Sequence, residues 1–216
     1  MKKIGVLLSG CGCYDGSEIH EAVLTLLSLS KAGVESICIA PDIDMTHVID
    51  HSTGAEASET RNVFVEASRI GRGKVVKLSE TNVNDFDALI LPGGFGAAKN
   101  FSDYAFTGKD CKVRPDVSKI ILKTIAANKP LGAICIAPVI VAKVLGKGIE
   151  VTIGTDNDTA SNIESFGAKH IKCSALECHV DEKMKVVTTS AYMNGESIAE
   201  IAEGIDKLVK KVIDLI

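Results

Sequence analysis

The sequence predicts an α/β fold: an open, mostly parallel, doubly wound sheet with helices on both faces. Short, almost wholly apolar runs, such as residues 87–91 and 131–135, alternate with stretches of helical periodicity, such as residues 18–32 and 196–215. Glycine-rich or tight turns follow the runs that end near Ser9, Leu91 and Ile134. In sheets of this kind ligands sit beyond the carboxyl ends of the strands, so these three turns are expected to converge on one site.

The elements follow in order. Residues 3–9 read as a buried strand, and residues 10–16 as a glycine-rich loop. Ser17 is expected to cap a helix over residues 18–32, whose Ile19, Val23, Leu24, Leu26 and Leu27 fit a helical face and which Gly33 stops. Residues 35–40 form the second strand, closed by Pro41, and residues 48–51 a short extra one. A helix over 59–70 and a strand over 75–78 follow. Residues 87–91 are the next core strand, ending in Pro92-Gly93-Gly94-Phe95-Gly96. A helix over 115–128, a strand over 131–135 and a helix over 137–145 come next. Residues 151–154 read as a strand and 159–166 as a helix. Strands at 177–180 and 185–189 are joined by a polar turn, and 196–215 is the terminal helix. No repeat or linker divides the 216 residues, which are expected to form one domain.

Composition narrows the function class. The formal net charge of −4 gives no basic footprint for nucleic acid. No apolar run approaches the roughly 20 residues of a membrane span. Met1-Lys2-Lys3 with Leu8-Ser9-Gly10-Cys11 imitates a lipoprotein signal, but residues 4–8 are shorter than the about 7–15 residues of a signal core, so export is not expected. Seven cysteines, an odd number scattered through apolar runs, argue against a disulfide scaffold and for a reducing cytoplasm. Cys11-x-Cys13 lacks a matching second pair, so no metal is expected. Gly10-x-Gly12 departs from the dinucleotide fingerprint, and no cofactor is expected.

Cys135 is the residue on which the chemistry centres. It ends an apolar strand and is followed at once by Ile136-Ala137-Pro138, with small neighbours at Ala133 and Ala137. That is a nucleophile-elbow pattern, and a thiol at a helix N-terminus feels the positive end of the dipole, which favours thiolate. Glu18 opens the helix after the first strand and is the expected carboxyl partner, as proton donor to the thiolate or as general base. The N–H groups of Gly94 and Ile136 are the expected oxyanion donors.

Several segments carry a resemblance. Gly16-Ser17-Glu18-Ile19-His20-Glu21, Thr60-Arg61-Asn62-Val63, residues 91–100, Cys135-Ile136-Ala137-Pro138 and Ile153-Gly154-Thr155-Asp156 resemble the ElbB family, in the ThiJ/PfpI branch of the class I glutamine-amidotransferase-like superfamily. The resemblance implies a flavodoxin-like three-layer sandwich, a homodimer, Cys135 as elbow cysteine and Glu18 as its partner. It also implies a cofactor-free glyoxalase that turns glyoxal, a small dicarbonyl, into glycolate through a Cys135 hemithioacetal. Cys11, Gly12, Asp15, Gly93, Asn100 and Thr155 are the expected pocket residues. Proteases of the superfamily place His directly after the cysteine, where this chain has Ile136, and amidotransferases carry a late His-x-Glu that residues 188–192 lack. Peptide and amide hydrolysis, which need an acid for a poor leaving group, are therefore not expected. The alternatives are a redox-responsive protein whose elbow cysteine is oxidised, and a non-catalytic partner in isoprenoid metabolism.

Overall fold

The computed structural model describes residues 1–146 and 148–216. The chain runs β1 (Lys3–Leu7), α1 (Ile19–Lys31), β2 (Glu35–Ala40), a small hairpin of β3 (Ile49–Asp50) and β4 (Ala55–Glu56), α2 (Val63–Ile70) and β5 (Val75–Lys77). It continues through β6 (Ala88–Leu91), α3 (Phe95–Lys99), α4 (Tyr104–Thr107), α5 (Pro115–Ala126), β7 (Leu131–Ile134) and α6 (Ala137–Leu145). β8 (Glu150–Val151), α7 (Asn157–Ser165), β9 (Lys169–His170), β10 (His179–Asp181), β11 (Val186–Thr189) and α8 (Ile198–Asp214) complete it.

The described residues form a seven-stranded sheet in the order β10-β11-β7-β6-β1-β2-β5. Every pairing in it is parallel except β10 with β11. The five strands β2-β1-β6-β7-β11, renumbered along the chain, give the flavodoxin order 2-1-3-4-5. The central strands read as continuous apolar runs because both faces are covered. Leu89, Leu91, Leu131 and Ala133 pack with residues of α5, α6 and α7 on one side. Ile4, Val6, Ala88 and Ile134 pack with residues of α1, α2 and α8 on the other. This is the expected flavodoxin-like three-layer sandwich.

Element ends shift where side-chain chemistry competes with periodicity. Helix α2 starts at Val63, not near residue 59, because Asn62 caps it by accepting from the Val65 N–H. Ser17 does not cap α1. Its hydroxyl turns inward to accept from the Ser9 N–H at 2.8 Å, and Glu18 takes the capping place. The expected strand at 151–154 is the shorter β8, and that at 177–180 is displaced to β10.

Strands β1, β6 and β7 are neighbours, so the loops after them meet at one sheet edge. The first two are locked backbone to backbone. Glu18 donates its N–H to Gly93 O at 3.0 Å, Phe95 to Cys13 O at 2.8 Å and Gly96 to Gly16 O at 2.9 Å. Gly94 sits at φ +94°, where a Cβ would lie 2.3 Å from Glu18 N and 2.4 Å from Gly16 O. Only glycine fits there.

Candidate active site

Cys135 occupies the turn between β7 and α6 with φ +61°, a left-handed conformation that a non-glycine residue rarely holds. Its N–H is tied to Thr189 O in β11 at 2.9 Å, and Pro138 lies in the first turn of α6. The backbone N–H groups of Gly94 and Ile136 lie near enough to the Cys135 thiol to favour its ionised form.

The carboxyl that meets the thiol is that of Glu21, and this corrects the expectation for Glu18. Glu21 is fully buried, and its Oε2 and the Cys135 Cβ both crowd Gly93, where an added Cβ would lie 2.7 and 2.5 Å from them, so the carboxyl sits beside the thiol. Its Oε2 accepts from Gly93 N–H at 2.9 Å and its Oε1 from Tyr192 N–H at 3.5 Å. Glu18 is the N-cap of α1, and its Oε2 turns back to accept from the Glu21 N–H at 2.7 Å. The geometry explains the exchange. Helical side chains lean toward the N-terminus, so the strand end beneath the first turn is covered from one turn further along.

Burial pushes the Glu21 carboxyl up to about 8, with the nearby Glu18 charge adding to the rise. Burial also pushes the Cys135 thiol well up, and Glu21 raises it further against the two N–H donors. Desolvation thus outweighs the helix dipole, and the thiolate expected from elbow position alone is not favoured by burial. The two groups titrate as a pair. After the first proton leaves, one remains between them. Gly94 and Ile136 favour leaving the charge on sulfur, whereas Gly93 and Tyr192 favour leaving it on the carboxyl. With the proton on Glu21, its O–H donates to the thiolate.

Cys135 opens onto a cavity of about 530 Å³. Of the residues expected from the sequence, Glu18, Gly94 and Ile136 line it with Cys135. The pocket expectations for Cys11, Gly12, Asp15, Asn100 and Thr155 are not met: none of them lines it. Asp15 and Asn100 are buried scaffolding instead. Asp15 Oδ2 accepts from Ile49 N–H at 2.7 Å. The Asn100 amide donates to Ser9 O and Asp15 O at 2.9 and 2.8 Å. Gly12 is packed against Asp15 and His51, with no room for a Cβ. Thr155 is exposed and bound to Asn194 through both its N–H and its hydroxyl. Gly93 acts below the cavity, through its bond to Glu21.

The walls come from residues the sequence did not single out for the site. Cys13 and Tyr14 come from the first loop, Phe95 from α3, Tyr104 and Phe106 from α4, and Tyr192 from the segment after β11. The Tyr104 hydroxyl is bonded to Asn162 and that of Tyr192 to His20. Asp156 also lines the cavity, and its hydrogen bonds from Thr159 hold its carboxyl below the usual range. Among the described residues no histidine lines it. The arrangement offers a nucleophile with a proton-bearing partner, two nearby N–H donors and a second carboxyl in the cavity wall.

The sequence profile of the DJ-1/PfpI family matches residues 11–199. The chain belongs to the DJ-1/PfpI family. Among curated members, "ES1 protein homolog, mitochondrial" of Rattus norvegicus is 46% identical over 99% of this chain and 84% of its own length. "Glutamine amidotransferase-like class 1 domain-containing protein 3, mitochondrial" of Homo sapiens is 46% identical over 99% of the chain and 83% of its own. Among solved structures, an isoprenoid biosynthesis protein with amidotransferase-like domain from Ehrlichia chaffeensis superposes with a TM-score of 0.92 at 34% identity, covering 99% of this chain and 100% of that one. The names of the family relatives overturn the cytoplasmic expectation: the rat and human proteins, and a Danio rerio protein 36% identical over 97% of this chain and 84% of its own length, are all called mitochondrial. The inference failed because free thiols report a reducing setting without distinguishing one compartment from another.

Proposed function

We propose that this DJ-1/PfpI-family protein is a glutathione-independent glyoxalase of the ElbB type, acting on glyoxal without a cofactor. The observation that supports the reading is the fully buried Glu21 carboxyl beside Cys135, in a cavity that Gly94 and Ile136 line with the thiol. Addition of a thiolate to an aldehyde needs charge stabilisation and proton movement, but no acid for a poor leaving group. A histidine-free site suits that demand.

In the proposed reaction the Cys135 thiolate attacks one aldehyde carbon of glyoxal. The C–S bond forms, and the carbonyl pair moves onto oxygen beside the two N–H donors. Glu21 supplies the proton that turns this alkoxide into a hemithioacetal. Glu18, in the cavity wall, removes the hydrogen on the sulfur-bearing carbon and returns a proton to the neighbouring carbon by way of an enediol. The product is a glycolyl thioester on Cys135. Water hydrolyses it to glycolate and regenerates the thiol. Glyoxal plus water gives glycolic acid, one carbon being oxidised as the other is reduced, so no external oxidant enters.

The same donors favour a second reading. A sulfinate on Cys135 would find the Gly94 and Ile136 N–H groups and a protonated Glu21 already in place. A homodimer is also proposed, supported by Ile19, Val23 and Leu27, which are exposed one turn apart along α1.

The deciding experiment is glyoxal turnover by the wild type and by Cys135→Ala, with intact mass after mild peroxide. Glycolate formation lost in Cys135→Ala supports the glyoxalase. Turnover retained in that variant rules out the scheme. Negligible wild-type turnover with selective oxygen addition at Cys135 favours the redox reading.

A further inference from the structure

The cavity is larger, more aromatic and more acidic than glyoxal requires. Glyoxal has four heavy atoms and fills about 100 Å³ or less, the share of three or so waters. The cavity offers about 530 Å³, within the range of about 300–1,000 Å³ that holds far larger ligands.

Its lining is not a sample of the chain. All three tyrosines and two of the six phenylalanines stand around it, in a protein with no tryptophan. Tyr14, Phe95 and Phe106 remain 44%, 52% and 52% exposed. Rings grouped around a concave mouth mark a place where another apolar surface is received. The phenol groups of Tyr104 and Tyr192 are occupied by Asn162 and His20, which leaves the rings as the contact surface.

The charges point the same way. Glu18 and Asp156 are in the wall, and no Lys, Arg or His among the described residues lines it. Lys99, the basic side chain beside Phe95, is bound to the Tyr14 carbonyl at 2.9 Å and does not line the cavity. A carboxylate or phosphate on a substrate would meet two acidic groups and no cation. An uncharged group would meet no such barrier, and a cation would find both acids and ring faces.

We propose that the Cys135 cavity takes uncharged or cationic carbonyl electrophiles bearing an aryl or similarly bulky apolar group, and rejects anionic ones of the same size. For the glyoxalase this makes aryl oxoaldehydes better substrates than glyoxal. That last clause rests on the glyoxalase reading, whereas the selectivity itself rests only on Cys135 reacting.

Alkylation of Cys135, followed by peptide mass that resolves it from Cys13 in the same wall and from the other free cysteines, separates the two. Iodoacetamide and iodoacetate share one reactive carbon and differ in charge, and N-benzyl-iodoacetamide adds a ring to the neutral reagent. Rates are divided by those for free glutathione. The expected pattern is iodoacetate slower than iodoacetamide by on the order of tenfold beyond the glutathione ratio, with N-benzyl-iodoacetamide fastest and saturating. Asp156→Lys should narrow the charge discrimination, and Phe106→Ala the preference for the ring. Equal normalised rates for all three reagents would overturn the proposal. In parallel, phenylglyoxal should exceed glyoxal in kcat/KM. If neither is turned over while the alkylation pattern holds, the glyoxalase reading falls and the selectivity stands.

Discussion

The Glu21 carboxyl is fully buried against the Cys135 thiol, so the acid of α1 and the elbow of β7 share one proton equilibrium. Glu21 keeps its proton up to about pH 8 in the folded protein, while an unfolded carboxyl releases it near its ordinary value of about 4.3. Between those limits the native state binds more protons than the unfolded one. Stability therefore falls as pH rises through that window, by on the order of a few kcal/mol, and is flat in this respect outside it. Urea midpoints taken at several values between pH 5 and 8.5 should show the decline. Glu21→Gln, which cannot ionise, should flatten it. An unchanged slope in that variant would remove Glu21 as the source.

Glu18 acts on the pair through its charge, since it raises Glu21. Glu18→Gln should therefore move the proton loss of Glu21 to lower pH. The pH profile of Cys135 alkylation should shift the same way, and glyoxal turnover should fall with folding unchanged. The amide oxygen can still cap α1, so the loss of stability should stay within about 1 kcal/mol. A profile that does not move would mean that the two carboxyls are not coupled.

Gly94→Ala should be one of the most damaging single-methyl changes in the protein. The new Cβ would meet backbone at 2.3 and 2.4 Å and adopt φ +94°. A loss above about 2 kcal/mol is expected. Gly73→Ala is the comparison, with φ +78° but nothing within 4 Å of the added carbon; it should lose only the strain of about 1–2 kcal/mol. Thermal melts of both variants decide, and equal losses would discard the contact argument.

The proposed homodimer predicts that one charge on the exposed α1 stripe splits it. Val23→Lys, midway between Ile19 and Leu27, should give a monomer by light scattering with the wild-type circular dichroism spectrum. A wild-type protein that is monomeric at micromolar concentration ends the proposal.

The central strands β1, β6 and β7 were legible because each is a short apolar run buried on both faces, and their order placed the three loops together, whereas the short exposed strands β4 and β9 carry no such run. Helices α3 and α4 were not. They are 5 and 4 residues long, too short for periodicity to register. The thiol's partner was misread by one helical turn, since Glu18 and Glu21 are both first-turn acids in the sequence. Periodicity pointed the other way: of the apolar face expected for α1, Ile19, Val23 and Leu27 are exposed, whereas Glu21, Ala22, Thr25 and Leu29 form the buried face, so the acid that meets the thiol lay off the apparent hydrophobic stripe. The cavity walls were invisible for a different reason. Tyr104, Asp156 and Tyr192 come from distant segments, and no local pattern joins them.

The bonds between the first two loops have a bearing on how the protein matures. Gly93 and Glu21 are joined at 72 positions' separation, and Gly94 and Gly96 pack on Gly16 and its neighbours through backbone alone. The environment of Cys135 is therefore assembled from segments far apart in the chain: the thiol lies on one side of the β6 loop and its carboxyl neighbour on the other, so the site forms with the tertiary fold rather than with any single element.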